Sequence, residues 1–234
     1  MHEFTAAFAT ALHLIVQLDQ ALVAIVSLSL LVSLAAISLA AACGLPLGAV
    51  VAVFRFPGRR LVGTLLNTTM GLPPVVVGLT LYILLSRAGP LGELGLLYTP
   101  TAMVLAQCIL VTPIIAALTR QTIADLHAEY DEQLRSLGVG PWRTITTLLW
   151  DGRFSLLTAV LAGLGRASAE VGAVIIVGGN INHVTRVMTT TIALETSKGD
   201  LPLALGLGII LLLLIFLLNA AALAIHDVTK RAYG

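Results

Sequence analysis

Arg166 and Glu170 lie inside an apolar stretch that runs from residue 154 to residue 179. A charge at the centre of a bilayer costs on the order of 3 kcal/mol on insertion scales, so each must face a cavity or a partner. At i and i+4 of a helix they would share one face and could pair. Two readings stay open. The pair could fix helix packing, or it could line a path across the membrane, with Glu170 able to relay a proton beside Arg166. Just beyond, Gly178-Gly179-Asn180 could turn and present backbone N–H groups to an anion. Thr189, Thr190 and Thr191 offer hydroxyl donors close by in sequence. Gly163, Gly165, Gly172, Gly178 and Gly179 suit either close helix packing or a backbone that approaches a cavity.

Other chemistries find no support. The chain has no Gly-x-x-x-x-Gly-Lys-Ser/Thr, hence no phosphate cradle of that kind. His2, His13, His127, His183 and His226 are scattered without paired spacing, and Cys43 and Cys108 sit in apolar surroundings as packed thiols. No metal, cofactor or catalytic residue is expected. A net charge of +1, without basic–aromatic interleaving, points to no nucleic acid partner.

These residues must be held by membrane helices. Hydrophobic residues make up 58% of the chain and charged ones 11%, against roughly 25% charged in soluble domains. The fold class predicted is all-α, a polytopic membrane protein with about five transmembrane helices. The spans are expected at 21–54, 74–86, 101–119, 154–179 and 201–225, with a short helical piece at 61–70 before the second. Gly44 and Gly48 form a Gly-x-x-x-Gly that points to a helix contact, which could lie at a dimer seam. Residues 4–18 are too short to span and read as an interfacial helix, and Met1-His2-Glu3-Phe4 lacks the basic start of a cleaved signal. The organisation expected is therefore 1–20 as an N-terminal interfacial segment, 21–226 as the transmembrane domain and 227–234 as a short cytoplasmic tail without a regulatory domain. Lys and Arg placement gives nine on the side of the 55–60 turn, the 120–153 loop and the C-terminus, and three on the other. That puts the N-terminus outside and the C-terminus in the cytoplasm.

Between the third and fourth spans lies a charged island from Ala124 to Trp142. It carries Asp125, Glu129, Asp131 and Glu132, yet Leu126, Tyr130, Leu134 and Leu137 recur along one helix side. Gly138 supplies a left-handed stop, and Pro141 can open a second helix at its first position. An amphipathic helix–glycine–helix in a loop could offer its apolar stripe to the groove of a soluble partner, with Glu129 and Glu132 meeting basic residues at the rim. It could equally lie on the membrane face with its carboxylates solvated.

Glu132-Gln133-Leu134, then Gly138, then Leu148-Leu149-Trp150-Asp151, resembles the cytoplasmic coupling loop of ABC-importer permeases, here 124–150, although its two alanines and closing Leu-Pro are missing. Gly165-Arg166-Ala167-Ser168-Ala169-Glu170-Val171-Gly172-Ala173 resembles the corresponding segment of molybdate, tungstate and sulfate permeases. Phe56-Pro57-Gly58 and Leu72-Pro73-Pro74-Val75-Val76 fit the same group. Val177 to Ile181, Arg186 to Ile192 and Glu195-Thr196 are most similar to the tungstate branch. The resemblance extends from about residue 20 onward. It implies a pore made with a second copy of the chain in the lipid bilayer, separate cytoplasmic ATPase subunits and an extracytoplasmic oxyanion-binding protein. Tungstate is the expected cargo, with molybdate or sulfate as alternatives, and a proton-coupled secondary transporter as the competing class. On the importer reading Glu129, Glu132, Leu134, Leu137 and Gly138 couple to the ATPase. Arg166, Glu170, Gly178, Gly179 and Asn180 line the oxyanion path, Arg166 lending positive potential and Glu170 holding its guanidinium until the path opens.

Overall fold

The longest helices here each contain a long apolar run. In a computed structural model, which describes residues 8–10, 12, 13, 15, 16 and 20–233 and side chains through 224, the described residues form helices and turns without a strand. The interfacial helix expected at 4–18 lies for the most part outside the described residues. In chain order the helices are α1 (Gln20–Val53), α2 (Arg59–Thr69), α3 (Pro74–Leu85), α4 (Pro100–Ser136), α5 (Pro141–Asp151), α6 (Arg153–Ser168), α7 (Gly172–Gly178), α8 (Met188–Lys198) and α9 (Leu201–Tyr233). A single 3₁₀ turn, Gly92–Leu94, sits between α3 and α4.

Among the described residues three helices are long and apolar enough to cross a membrane: α1, α4, and α9 over Leu201–Ala224. The number reaches five if α2 with α3, and α5 with α6, each count as one broken span. The spans expected at 74–86 and 154–179 thus change form. The 12 residues of α3 rise only about 18 Å, short of a hydrocarbon core near 30 Å. The apolar run 154–179 is not one helix, because α6 ends at Ser168 and α7 begins at Gly172. Hydropathy registers the apolar residues and is blind to the break. By contrast α4 keeps going: its 37 residues rise about 55 Å, so the third span and the charged island belong to one rod.

The chain divides into two compact units. The first comprises Met1–Ala35, Pro74–Gln107 and Ser168–Gly234. Within it α3 packs on α7 so closely that a Cβ on Gly78 would lie 2.8 Å from the Cα of Ala173. Helix α8 packs on α9, where Leu22, Met188, Leu207 and Ile210 form a buried cluster. The N–H of Met188, an orphan donor at a helix start, finds the Ser29 hydroxyl at 2.8 Å. At the other end of α8 the N–H groups of Gly199 and Asp200 return to Thr196 and Glu195, and Asp200 accepts from the N–H of Leu203 to start α9.

The second unit comprises Ala36–Pro73 and Cys108–Ala167. Its core holds Ala49, Ala52, Val53, Ile123, Ile145, Leu148 and Leu156. Gly44 and Gly48 do not wait for a second copy. A Cβ on Gly44 would sit 3.0 Å from that of Ile115, and one on Gly48 would meet the carbonyl of Ala116, so the pair seats α1 on α4 of the same chain. The helix contact expected of this Gly-x-x-x-Gly is thus made with α4 of the same chain, which small residues allow, and its placement at a dimer seam is corrected. Pro46 and Pro113 are carried inside continuous helices. Thr112 donates to the carbonyl of Cys108 at 2.7 Å.

Candidate functional site

In the second unit the end of α4, Gly138 and α5 form an elbow. Gly138 has φ +68°, a conformation that costs a residue with a Cβ about 1–2 kcal/mol. Its N–H bonds the carbonyl of Arg135 and the N–H of Val139 that of Leu134, at 3.0 Å each. This is the paired closure of a Schellman turn, which satisfies carbonyls the helix end would leave open. Pro141 follows at the start of α5, where its missing N–H costs nothing. The stop and restart expected from Gly138 and Pro141 are both present.

The apolar stripe divides. Leu126, Tyr130 and Leu134 pack against the unit's own core, whereas Leu137 is 77% exposed, as are Trp142 at 67% and Trp150 at 72%. Most of the stripe expected to enter a partner groove is therefore occupied internally, because α5 folds back and covers it. What the elbow offers outward is Leu137 at the turn, with Glu129 and Glu132 exposed on α4. Neither glutamate is in an ion pair among the described residues. Asp131 is engaged by Arg135 at 2.8 Å and lies 3.7 Å from His127. Between α5 and α6 the chain bends by 75° at Gly152, where a Cβ would come within 2.9 Å of Leu126. Arg153 closes this bend, bonding the carbonyl of Trp150 at 2.7 Å and covering the rings of Trp150 and Phe154.

In the first unit, Glu170 occupies the break before α7 and is 3% exposed. Its Oε1 accepts from the N–H of Ala173 at 2.9 Å, and its carbonyl accepts from the Thr189 hydroxyl at 2.9 Å. A carboxylate capping a helix start is favourable both as acceptor and against the helix dipole. Arg166 remains on α6, so the shared helix face expected of the two residues does not exist. The hydroxyls of Thr189, Thr190 and Thr191 are buried and all donate to backbone carbonyls, of Glu170, Val187 and Val187 respectively. In an apolar interior a hydroxyl takes the acceptor nearest to it, which withdraws this trio as donors for a ligand.

After α7 comes the second glycine turn. Gly178 is packed against Met103, with Sδ 3.0 Å from where a Cβ would be. Gly179 has φ +71° and would place a Cβ 2.8 Å from the Tyr98 ring. Asn180 and His183 also adopt left-handed φ, +49° and +60°. Buried Thr185 holds this coil together, donating to the Gly178 carbonyl and accepting from the N–H of Ile181. The Tyr98 N–H bonds Val177 at 2.9 Å, and its ring meets Tyr82 edge-on at 6.4 Å. Its phenol titrates above the usual range, chiefly through the hydrogen bond with Tyr82, then by burial and Tyr82's charge. Arg186 opens the Arg186–Ile192 segment and stands beside this turn. It donates to Asn182 Oδ1 at 3.2 Å and to the Asn180 carbonyl at 3.5 Å, while its Nε and the Oδ1 of Asn180 are buried without a hydrogen-bond partner. The turn thus brings a guanidinium to Asn180, a conjunction that only its fold could reveal. No cluster of three metal-ligating side chains occurs among the described residues.

Residues 44–233 match the family of binding-protein-dependent transport system inner membrane components. The chain belongs to that family. It is 40% identical over 220 residues, 94% of its own length and 96% of the relative's, to the tungstate uptake system permease protein TupB of Peptoclostridium acidaminophilum. It is 39% identical over 212 residues, 91% and 89% of the two chains, to the TupB protein of Campylobacter jejuni subsp. jejuni. To the sulfate transport system permease protein CysT of Escherichia coli it is 30% identical over 168 residues, 69% and 61% of the two chains. The permease of this family is a multi-pass membrane protein and a transport component, in keeping with the helices found.

Proposed function

We propose that this chain is the membrane-spanning permease of an ATP-driven oxyanion importer, with tungstate as cargo. The observation that carries this is the 40% identity to a tungstate uptake permease over nearly the whole of both chains. The lower and shorter identity to a sulfate permease ranks sulfate below tungstate. Two copies of the chain form the pore, and an extracytoplasmic protein delivers the anion. Because the sequence has no phosphate cradle, ATP hydrolysis belongs to separate cytoplasmic subunits. The nine-to-three bias of Lys and Arg supports a cytoplasmic elbow and C-terminus, with the N-terminus outside.

In this reading the elbow is the coupling element. Leu137 enters a groove of the ATPase, Glu129 and Glu132 meet its basic rim, Leu134 anchors the elbow to the core behind it, and Gly138 sets the angle. A push at the elbow is carried along α4, which is one helix from Pro100 to Ser136. The path is lined by Arg166 and by the Gly178-Gly179-Asn180 turn with Arg186 beside it. Glu170 serves as the buried cap that holds the turn of chain before α7. A conduit lined by few cations binds its anion weakly, which suits passage better than retention.

The test is uptake. Cells expressing the chain with its neighbouring transport subunits should accumulate tungsten, measured by elemental mass spectrometry. Molybdate should compete and sulfate should compete poorly. Accumulation equal to that of cells without the chain, or uptake abolished first by sulfate, would sink the tungstate reading.

A further inference from the structure

Helix α2 carries Arg60, Gly63, Thr64 and Asn67 at i, i+3, i+4 and i+7, a polar stripe along one face. Leu61 and Leu65 lie off this stripe and are exposed. Within the same unit Arg120 of α4 comes to the stripe, its guanidinium carbon 3.6 Å from where a Cβ on Gly63 would stand. Together with Arg59 these residues line one surface hollow. Arg59 is already committed, its Nε donating to the Val51 carbonyl at 2.8 Å and its Nη2 to that of Ala52, at the end of α1. Arg60 and Arg120 have no such commitment. No described carboxylate lies in ion-pair reach of either, and the Nε of Arg120 is buried without an acceptor. The chain between Asp19 and Glu93 contains no acidic residue, so α2 brings none of its own. Thr64 spends its hydroxyl proton on the Arg60 carbonyl, which leaves the Asn67 amide as the further donor.

Two guanidinium groups without a counter-charge, one holding a buried unsatisfied N–H, need an acceptor that the protein does not supply. A tetrahedral oxyanion meets that need, since its paired oxygens match the guanidinium fork. We propose that Arg60, Asn67 and Arg120 form a binding site for a tetrahedral oxyanion, separate from Arg166 and the Gly178-Gly179-Asn180 turn. The same chemistry could arrive as a free oxyanion or as the phosphate of an acidic lipid headgroup. The transport reading enters only in the choice of tungstate as probe.

The experiment uses the full-length chain in nanodiscs of phosphatidylcholine, dialysed against tungstate, with bound tungsten counted per chain. Arg60→Gln and Arg120→Gln should each weaken retention by about tenfold or more, the loss of one charge-assisted fork. Arg87→Gln, exposed and in the other unit, should leave it unchanged. A second set of discs contains phosphatidylglycerol. If the headgroup uses the site, phosphatidylglycerol displaces tungstate from the wild type, and the lipid retained through purification falls in both variants. Dependence of either ligand on Arg60 and Arg120 upholds the site and names its source. Equal retention of both ligands by wild type and Arg60→Gln overturns it, and the exposed position of Arg60 makes misfolding a poor excuse, checked by an unchanged thermal midpoint. The two readings fail separately: uptake without Arg60-dependent retention removes this site alone, and retention without uptake removes the importer alone.

Discussion

Gly138 and Gly179 both sit in left-handed turns, at φ +68° and +71°, and their surroundings are opposite. Nothing lies within 4 Å of a Cβ placed on Gly138, whereas one on Gly179 would strike the Tyr98 ring at 2.8 Å. The first glycine is required only by the direction of the backbone. The second is required by direction and by space. An exposed elbow held by two backbone bonds can be pressed on from outside. A turn locked by buried Thr185 and the ring of Tyr98 holds its shape against its own strain. The contrast separates a part suited to transmitting force from a part suited to presenting fixed groups.

The sharpest way to break this comparison is Gly179→Ala. Strained φ and overpacking together should cost about 2–4 kcal/mol, read as a fall in the thermal midpoint of the purified chain. In a Tyr98→Ala background the same change should cost only the conformational share, about 1–2 kcal/mol. An equal loss in both backgrounds would mean that the ring imposes nothing. Glu170→Ala comes next. It strands the N–H of Ala173 in a buried site, at about 1–3 kcal/mol, while Glu170→Gln keeps an acceptor oxygen for that N–H and should recover that share of the loss. If Glu170→Gln is stable but blocks tungstate uptake, the charge acts in transport beyond its cap. A milder change is Gly138→Ala, at about 1–2 kcal/mol for its φ alone, with no background mutation able to relieve it. Recovery of stability after trimming any neighbour would contradict the open space around that glycine.

What could be read from sequence follows the same division. The stop at Gly138 and the restart at Pro141 rest on local chemistry, a left-handed φ and a missing N–H, and local chemistry is legible residue by residue. The break before α7 was not legible, because Ser168-Ala169-Glu170-Val171-Gly172 contains no proline to stop a helix, and the cap from Glu170 to Ala173 shows only once the chain has turned. The threonines at 189–191 are a related case, since sequence displays donors but not the carbonyls that already hold them. Leu126, Tyr130 and Leu134 read correctly as one stripe, and their partner was hidden because α5 covers them only after the bend. Arg60 and Arg120 lie sixty positions apart, so their meeting is a property of packing alone.

The smallest expected effect on stability tests the exposed side of the comparison most directly. Leu137 is 77% exposed, so Leu137→Asp should change the stability of the isolated chain by no more than about 0.5 kcal/mol. Leu134→Asp, by contrast, puts a charge against the core cluster and should destabilise it outright. If Leu137 is the contact through which a soluble partner is felt, Leu137→Asp should strip ATPase activity from the chain purified with its neighbours in mild detergent, while leaving membrane insertion and thermal midpoint intact. Full retention of the ATPase would move the contact to Trp142 or Trp150, the other large side chains left outside the core on α5. Loss of both ATPase and stability would mean that Leu137 packs inward, and the picture of an elbow with one free apolar tip would have to be given up.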